Sequence, residues 1–215
     1  MVSRKPPTRK THSPTNTLIE TQAMAGNAEN GGRRRGRIWR TAPWMIAILV
    51  LLLPLGAMQF TDEVAWDETD FAVMGTMLFG ACGAYETAAR MTGNTAYRAA
   101  VGVALGAAFM LIWMSLAVGI IGSEDNPANL MYGGVLAVGI LGALIVRFEP
   151  YCMACVLAAT ALAQVLVGMI ALFGGLGSAG ANWPEVIVFL TGFFAVLWLI
   201  SALLFRKAAG EGFGV

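Results

Sequence analysis

The sequence predicts an all-α membrane bundle of six transmembrane helices with both termini in the cytoplasm. Three observations carry that prediction. Hydrophobic residues make up 57% of the chain and charged residues 13%, with a mean hydropathy of +0.68, whereas a soluble domain carries about 25% charge. The apolar residues gather into six runs, 44–60, 71–89, 99–121, 130–146, 153–173 and 186–205, and roughly 17–25 apolar residues cross a bilayer core of about 30 Å. Finally, alternation of six spans puts all fourteen Lys and Arg residues on one side, the side that the positive-inside rule makes cytoplasmic. No alternating apolar–polar pattern competes for a strand.

The near-neutral net charge of +1 hides a split. Residues 1–43 hold nine basic residues against two acids, a charge of +7, and the remainder holds five against eleven, −6. The first segment is rich in Thr, Asn, Gly, Pro and Arg and has too little apolar surface to offset the entropy of ordering. It predicts a disordered, basic cytoplasmic arm. Arg33, Arg34, Arg35, Arg37 and Arg40 stand just before the first run, where each is worth about 1 kcal/mol against an anionic leaflet, so lipid head groups are their expected partner. Nucleic acid is not expected.

The first run is short and contains Pro54 and Gln59. With basic residues ahead of it, it also has the outline of a signal peptide. Its apolar stretch is long for that role, and Gly56-Ala57-Met58-Gln59 supplies no small-x-small cleavage site, so it is read as an uncleaved span. The connection that follows places Asp62, Glu63, Asp67, Glu68 and Asp70 around Trp66. Together with Glu124 and Asp125 of the next outer connection, these carboxylates form either an acidic patch for a cation or basic partner, or solvated capping acids beside an interfacial Trp.

Thr69-Asp70 is the capping signal before the second run, and Asn94-Thr95 before the third. Glu86 lies four residues before Arg90 on the second run, so the two share a helix face. They form an interfacial ion pair or, with Tyr85, a gated ion or proton site. On the third run, Gly102 and Gly106 make a GxxxG pair, a seam for helix packing within the bundle or between molecules.

Asn126-Pro127, Glu149-Pro150 and Trp183-Pro184 each put Pro where a first helical turn would begin, where its missing N–H costs nothing. The fifth run carries Cys152 and Cys155 in its first turn. Both thiols share a face near a helix N-terminus that favours thiolate, the arrangement of a dithiol redox pair. Their predicted cytoplasmic side is reducing and Val156 excludes a c-type haem motif, so small packing residues are the alternative. Gln164, the most polar side chain within any span, is expected to bond across helices. Ala154–Ala158 and Ala159–Ala163 are further small-residue pairs. Residues 44–207 thus form the transmembrane domain, and 208–215 a short cytoplasmic tail.

Four stretches carry a resemblance. They are Met58-Gln-Phe-Thr-Asp-Glu-Val-Ala-Trp66 with Asp70-Phe71, Gly83-Ala-Tyr-Glu86 with Arg90, Ala96-Tyr-Arg98, and Ser123-Glu-Asp-Asn-Pro-Ala-Asn-Leu-Met131. Through them residues 58–163 resemble an uncharacterised family of short, multi-pass bacterial inner-membrane proteins. The resemblance implies a bacterial inner-membrane setting and no chemistry.

The only histidine, His12, lies in the arm, so the spans offer no imidazole to haem, zinc or copper. No cofactor and no metal are expected. The reading is a non-enzymatic membrane protein, an accessory or interaction subunit that packs with lipids, with other membrane proteins or with itself. The alternatives are a transporter or channel for a small neutral solute and, behind it, a cytoplasmic-face dithiol protein.

Overall fold

The computed structural model describes residues 43–60, 66–178 and 183–212. Every regular element among them is helical. The α-helices are α1 Pro43–Ala57, α2 Glu68–Met91, α3 Thr95–Ala117, α4 Met131–Ile145, α5 Pro150–Phe173 and α6 Glu185–Gly212, with a 3₁₀ turn at Pro127–Leu130 leading into α4. The arm and its five arginines, together with Asp62 and Glu63, lie outside the described residues.

Four elements are long and apolar enough to cross a membrane: α3, the Pro127–Ile145 segment, α5 and α6. The fifth long helix, α2, has the length, but Asp70 near its start, Glu86 and Arg90 near its end and several Gly and Thr between lower its apolarity. At 15 residues, α1 is about 22 Å long, short of a full crossing.

The chain divides into two compact units, residues 1–53 and 54–215. In the first, the described residues belong to α1, whose Met45, Ile46, Leu49 and Leu53 are exposed. The second holds α2–α6. In it α5 and α6 pack extensively on each other, α6 on α3, and α4 on α5, while α2 rests on α3.

Contacts at the helix ends fix an up-down order for α2–α6. At one end the Tyr97 hydroxyl donates to the Phe148 carbonyl (3.1 Å) and Asn94 Nδ2 donates to Glu211 (3.1 Å). At the other, the Trp66 and Trp113 rings lie 5.2 Å apart. There too Gly122 and Gly177 meet so closely that a Cβ on Gly122 would stand 3.1 Å from the Gly177 Cα. Both glycines have φ near +80°, which glycine adopts without a steric penalty.

Caps set the helix starts. Asp67, rather than Thr69-Asp70, caps α2: its carboxylate accepts from the Asp70 N–H (2.9 Å) and Asp70 accepts from the Asp67 N–H (3.0 Å), a reciprocal capping box. The helix therefore begins ahead of Phe71. Asn94 caps α3 as expected, accepting from the Tyr97 N–H at 3.0 Å. Pro127 and Pro150 open their helices. Pro184 instead precedes α6, and its carbonyl accepts from the Val188 N–H. Past Phe205, α6 runs on to Gly212, with Ala208 buried.

The core of this unit is small-residue rich: Ala96, Ala100, Ala107, Ala161 and Ala171 let helices approach around Leu111, Phe194 and Phe205. One buried cross-link, Ser201 Oγ donating to the Ala100 carbonyl at 2.7 Å, ties α6 to α3.

Candidate functional site

Among the described residues a cleft of about 370 Å³ opens between α2, α3 and α4, within the size range of small-molecule sites. It forms because α2 and α4 both pack on α3 without a substantial contact between them. Ala84 and Ala88 of α2, Ala104 and Ala108 of α3, and Gly139 and Ala143 of α4 keep it open, since none projects far. Leu157, Trp198 and Phe205 line its depth, and the lining is almost wholly apolar. One end is framed by Met91 and Phe148.

That end carries charge. Arg90, Arg98, Arg147, Arg206 and Lys207 all belong to it, with Glu86, Glu149 and Glu211. Asp67, Glu68, Asp70, Glu124, Asp125 and Glu185 lie at the opposite end, which has no described Lys or Arg. Arg98 caps α2 through bonds to the Ala89 and Thr92 carbonyls at 2.6 and 3.0 Å.

Glu86 and Arg90 do meet, Oε1 to Nε at 3.0 Å, with Arg90 largely exposed. An exposed i, i+4 pair contributes about 0.3–0.5 kcal/mol. Tyr85 takes another direction: its ring lies over Gly102, 3.5 Å from where a Cβ would be. The three residues are therefore not gathered into one gate.

Gly102 thus packs beneath an aromatic ring, and Gly106 has open space where its Cβ would stand. The tight helix crossings fall elsewhere. A Cβ on Gly142 of α4 would stand 2.5 Å from Val156 of α5, and one on Gly168 of α5 would collide with Thr191 of α6. No GxxxG spacing marks these two, because each needs a small residue at a single crossing point.

Cys152 and Cys155 share the first turns of α5, half-buried and exposed respectively, and neither is in a disulfide. Glu149 caps this helix, accepting from the Cys152 N–H at 2.8 Å. That bond, and then the Cys152 thiol, hold the Glu149 carboxyl below its ordinary value of 4.5. The helix N-terminus expected to favour a thiolate is thus already served by the Glu149 carboxylate.

In the connections at the opposite, acidic end, Asp67 and Asp70 are committed to the capping box, while Glu68, Glu124 and Asp125 are exposed. Trp66 packs edge-on against Phe71 at 5.2 Å and against Trp113. Among the described residues no three His, Cys, Asp or Glu side chains are placed to hold a metal.

Gln164 is wholly buried, and neither its Oε1 nor its Nε2 has a partner. The expected bond across helices is not made, although the side chain sits on the packed α5 face between the buried Thr160 and Gly168. Thr160 Oγ1 donates to the Val156 carbonyl. The Tyr132 and Thr191 hydroxyls are neighbours, yet neither closes a hydrogen bond, and the Trp198 indole N–H is likewise unpartnered.

Two sites escape sequence reasoning altogether. Asn129 is buried; its Oδ1 accepts from the Ile120 and Ile121 N–H groups and its Nδ2 donates to the Ser123 carbonyl. Its only sequence signal is its place in a polar break. Arg147 and Phe148 both have left-handed backbones, with φ of 54° and 61°, a conformation unusual for non-glycine residues. The turn is held by Phe148 N–H to the Ala143 carbonyl and by Tyr97 on the Phe148 carbonyl. Comparison of the chain with protein-family models, with curated proteins and with solved structures finds no match.

Proposed function

We propose that the chain is a multi-pass protein of the bacterial inner membrane, crossing six times with both termini cytoplasmic, and that it works without chemistry of its own. In this reading it is an accessory or interaction subunit, packing with lipid or protein partners. The observation that carries it is the α2–α3–α4 cleft, an apolar and partly open surface where a membrane-embedded partner has room to seat. The gathering of the described Lys and Arg at one end of α2–α6 supports a cytoplasmic position for that end. The short α1 completes the count by local thinning of the bilayer.

Affinity purification of the full chain in mild detergent, with identification of co-purifying proteins and lipids, tests the reading. A stoichiometric partner is expected. A lone monomer bringing nothing with it would contradict it.

A second reading, a transporter or channel for a small neutral solute, is favoured by the unpartnered polar groups on α4, α5 and α6. Gln164, Tyr132, Thr191 and Trp198 have hydrogen-bonding capacity to offer a passing solute. Uptake of small polyols into proteoliposomes, abolished by Gln164→Met, is its expected signature. Absence of uptake removes it.

A further inference from the structure

We infer that the α2–α3–α4 cleft is a binding site for an anionic diacyl phospholipid, one chain lying in the cleft and the head group resting at Arg147. The inference deepens the proposed membrane role and rests on it. Three features of the cleft select this occupant.

The first is shape. Along α3 the lining runs from Tyr97 to Ala108, which at 1.5 Å per residue is about 17 Å. Half of a hydrocarbon core of about 30 Å is close to that depth. The cleft is therefore as deep as one leaflet and begins at the end that bears the basic groups.

The second is polarity. The lining is almost wholly apolar and the cleft is open on one side. An alkyl chain suits such a surface, and a polar solute would lose its hydration there without replacement bonds.

The third is charge. Arg147 directly precedes the cleft residue Phe148, and Arg90 directly precedes Met91. The ion pairs among the described residues are Glu86–Arg90 and Lys207–Glu211, and Arg98 is occupied by backbone carbonyls. Arg147 and Arg206 are both exposed and enter neither pair. Arg206 follows Phe205 in the depth of the cleft, whereas Arg147 stands beside Phe148 at its end, where a guanidinium can take a phosphate in the bidentate manner that suits it. The left-handed turn at Arg147 and Phe148 sets an exposed arginine next to a residue that lines the cleft. Backbone conformations of this cost persist where the surroundings enforce them, often at ligand clamps.

Native mass spectrometry of the full chain in mild detergent tests the site, with dioleoyl phosphatidylglycerol or dioleoyl phosphatidylcholine added at matched concentration. One phosphatidylglycerol per chain is expected to be retained in preference to phosphatidylcholine. Arg147→Gly should cut that retention about five-fold, the worth of one basic residue beside an anionic head group. The same variant should leave Tm unchanged or higher, because glycine suits the left-handed backbone, so misfolding would not account for the loss. Arg147→Lys should restore most of it. Thr87→Trp, at an exposed position lining the cleft on α2, should exclude either lipid.

Equal retention of the two lipids, or retention unaffected by Arg147→Gly or Thr87→Trp, overturns the site. So does a chain that retains no lipid. In each case the accessory-subunit reading is judged separately, by the proteins that co-purify.

Discussion

Gln164 brings an uncompensated amide into the packed face of α5, and its cost can be read by replacing it. Gln164→Met keeps the shape and removes both unpartnered atoms, so a gain of about 1 kcal/mol in unfolding free energy is expected, measured by chemical denaturation in mixed micelles. A loss of similar size would mean that the amide has a partner. Asn129 is the opposite case, a buried side chain whose two polar atoms are both bonded. Asn129→Ala orphans the Ile120 and Ile121 N–H groups, and each buried orphan costs about 1–3 kcal/mol, so a marked fall in Tm should follow. Both residues are visible in the sequence only as polar letters. Which one is satisfied depends on whether a connection folds back to supply backbone partners, and spacing does not encode that. Glu149 adds a pH dependence. Its carboxyl is held below 4.5 by the Cys152 N–H, so the folded state favours the charged form. The stabilisation is present at neutral pH and lost as pH falls through the lowered value. Glu149→Gln should flatten that acid limb of the Tm–pH profile, and an unchanged limb would show that the cap adds nothing.

At the scale of helices, small residues matter where two axes come close, and the structure places those points at Gly142 and Gly168. Gly168→Val drives a branched side chain into Thr191, and overpacking of this kind costs about 1–3 kcal/mol. Gly106→Ala meets open space and should be neutral or stabilising by up to about 1 kcal/mol, as helical Gly→Ala changes are. Thermal unfolding of the two variants side by side checks the contrast, and the reverse order would restore the GxxxG pair as the packing seam. Helix existence was legible in the apolar runs, and starts were legible where Asn94, Asn126 and Pro150 stand. Two starts were not. Asp67 takes the α2 cap because a reciprocal box with Asp70 satisfies two N–H groups at once, and Pro184 falls one residue ahead of α6. The Glu86–Arg90 pair followed from i, i+4 spacing alone, whereas Tyr85, one residue away, turns about 100° around the helix and goes to α3.

For the molecule as a whole, charge separates by end among the described residues of α2–α6. The described residues of α2–α6 carry their Lys and Arg at one end, while Asp67, Glu68, Asp70, Glu124, Asp125 and Glu185 occupy the other. The sequence foretold this polarity because short connections make neighbouring helices antiparallel. It did not foretell the cleft, which exists because α2 packs on α3 and leaves α4 at a distance, a matter of helix placement. The proposed partner docking, the proposed lipid site and the proposed cytoplasmic position of Arg147 all depend on which end faces the cytoplasm. The most direct measurement is labelling of single cysteines with a membrane-impermeant maleimide, in a background where Cys82, Cys152 and Cys155 are replaced by Ala. In intact spheroplasts, Asp125→Cys should label fully, and Lys207→Cys only after the membrane is broken. Labelling of Lys207→Cys in intact spheroplasts, with Asp125→Cys protected, would invert the bundle and contradict the account.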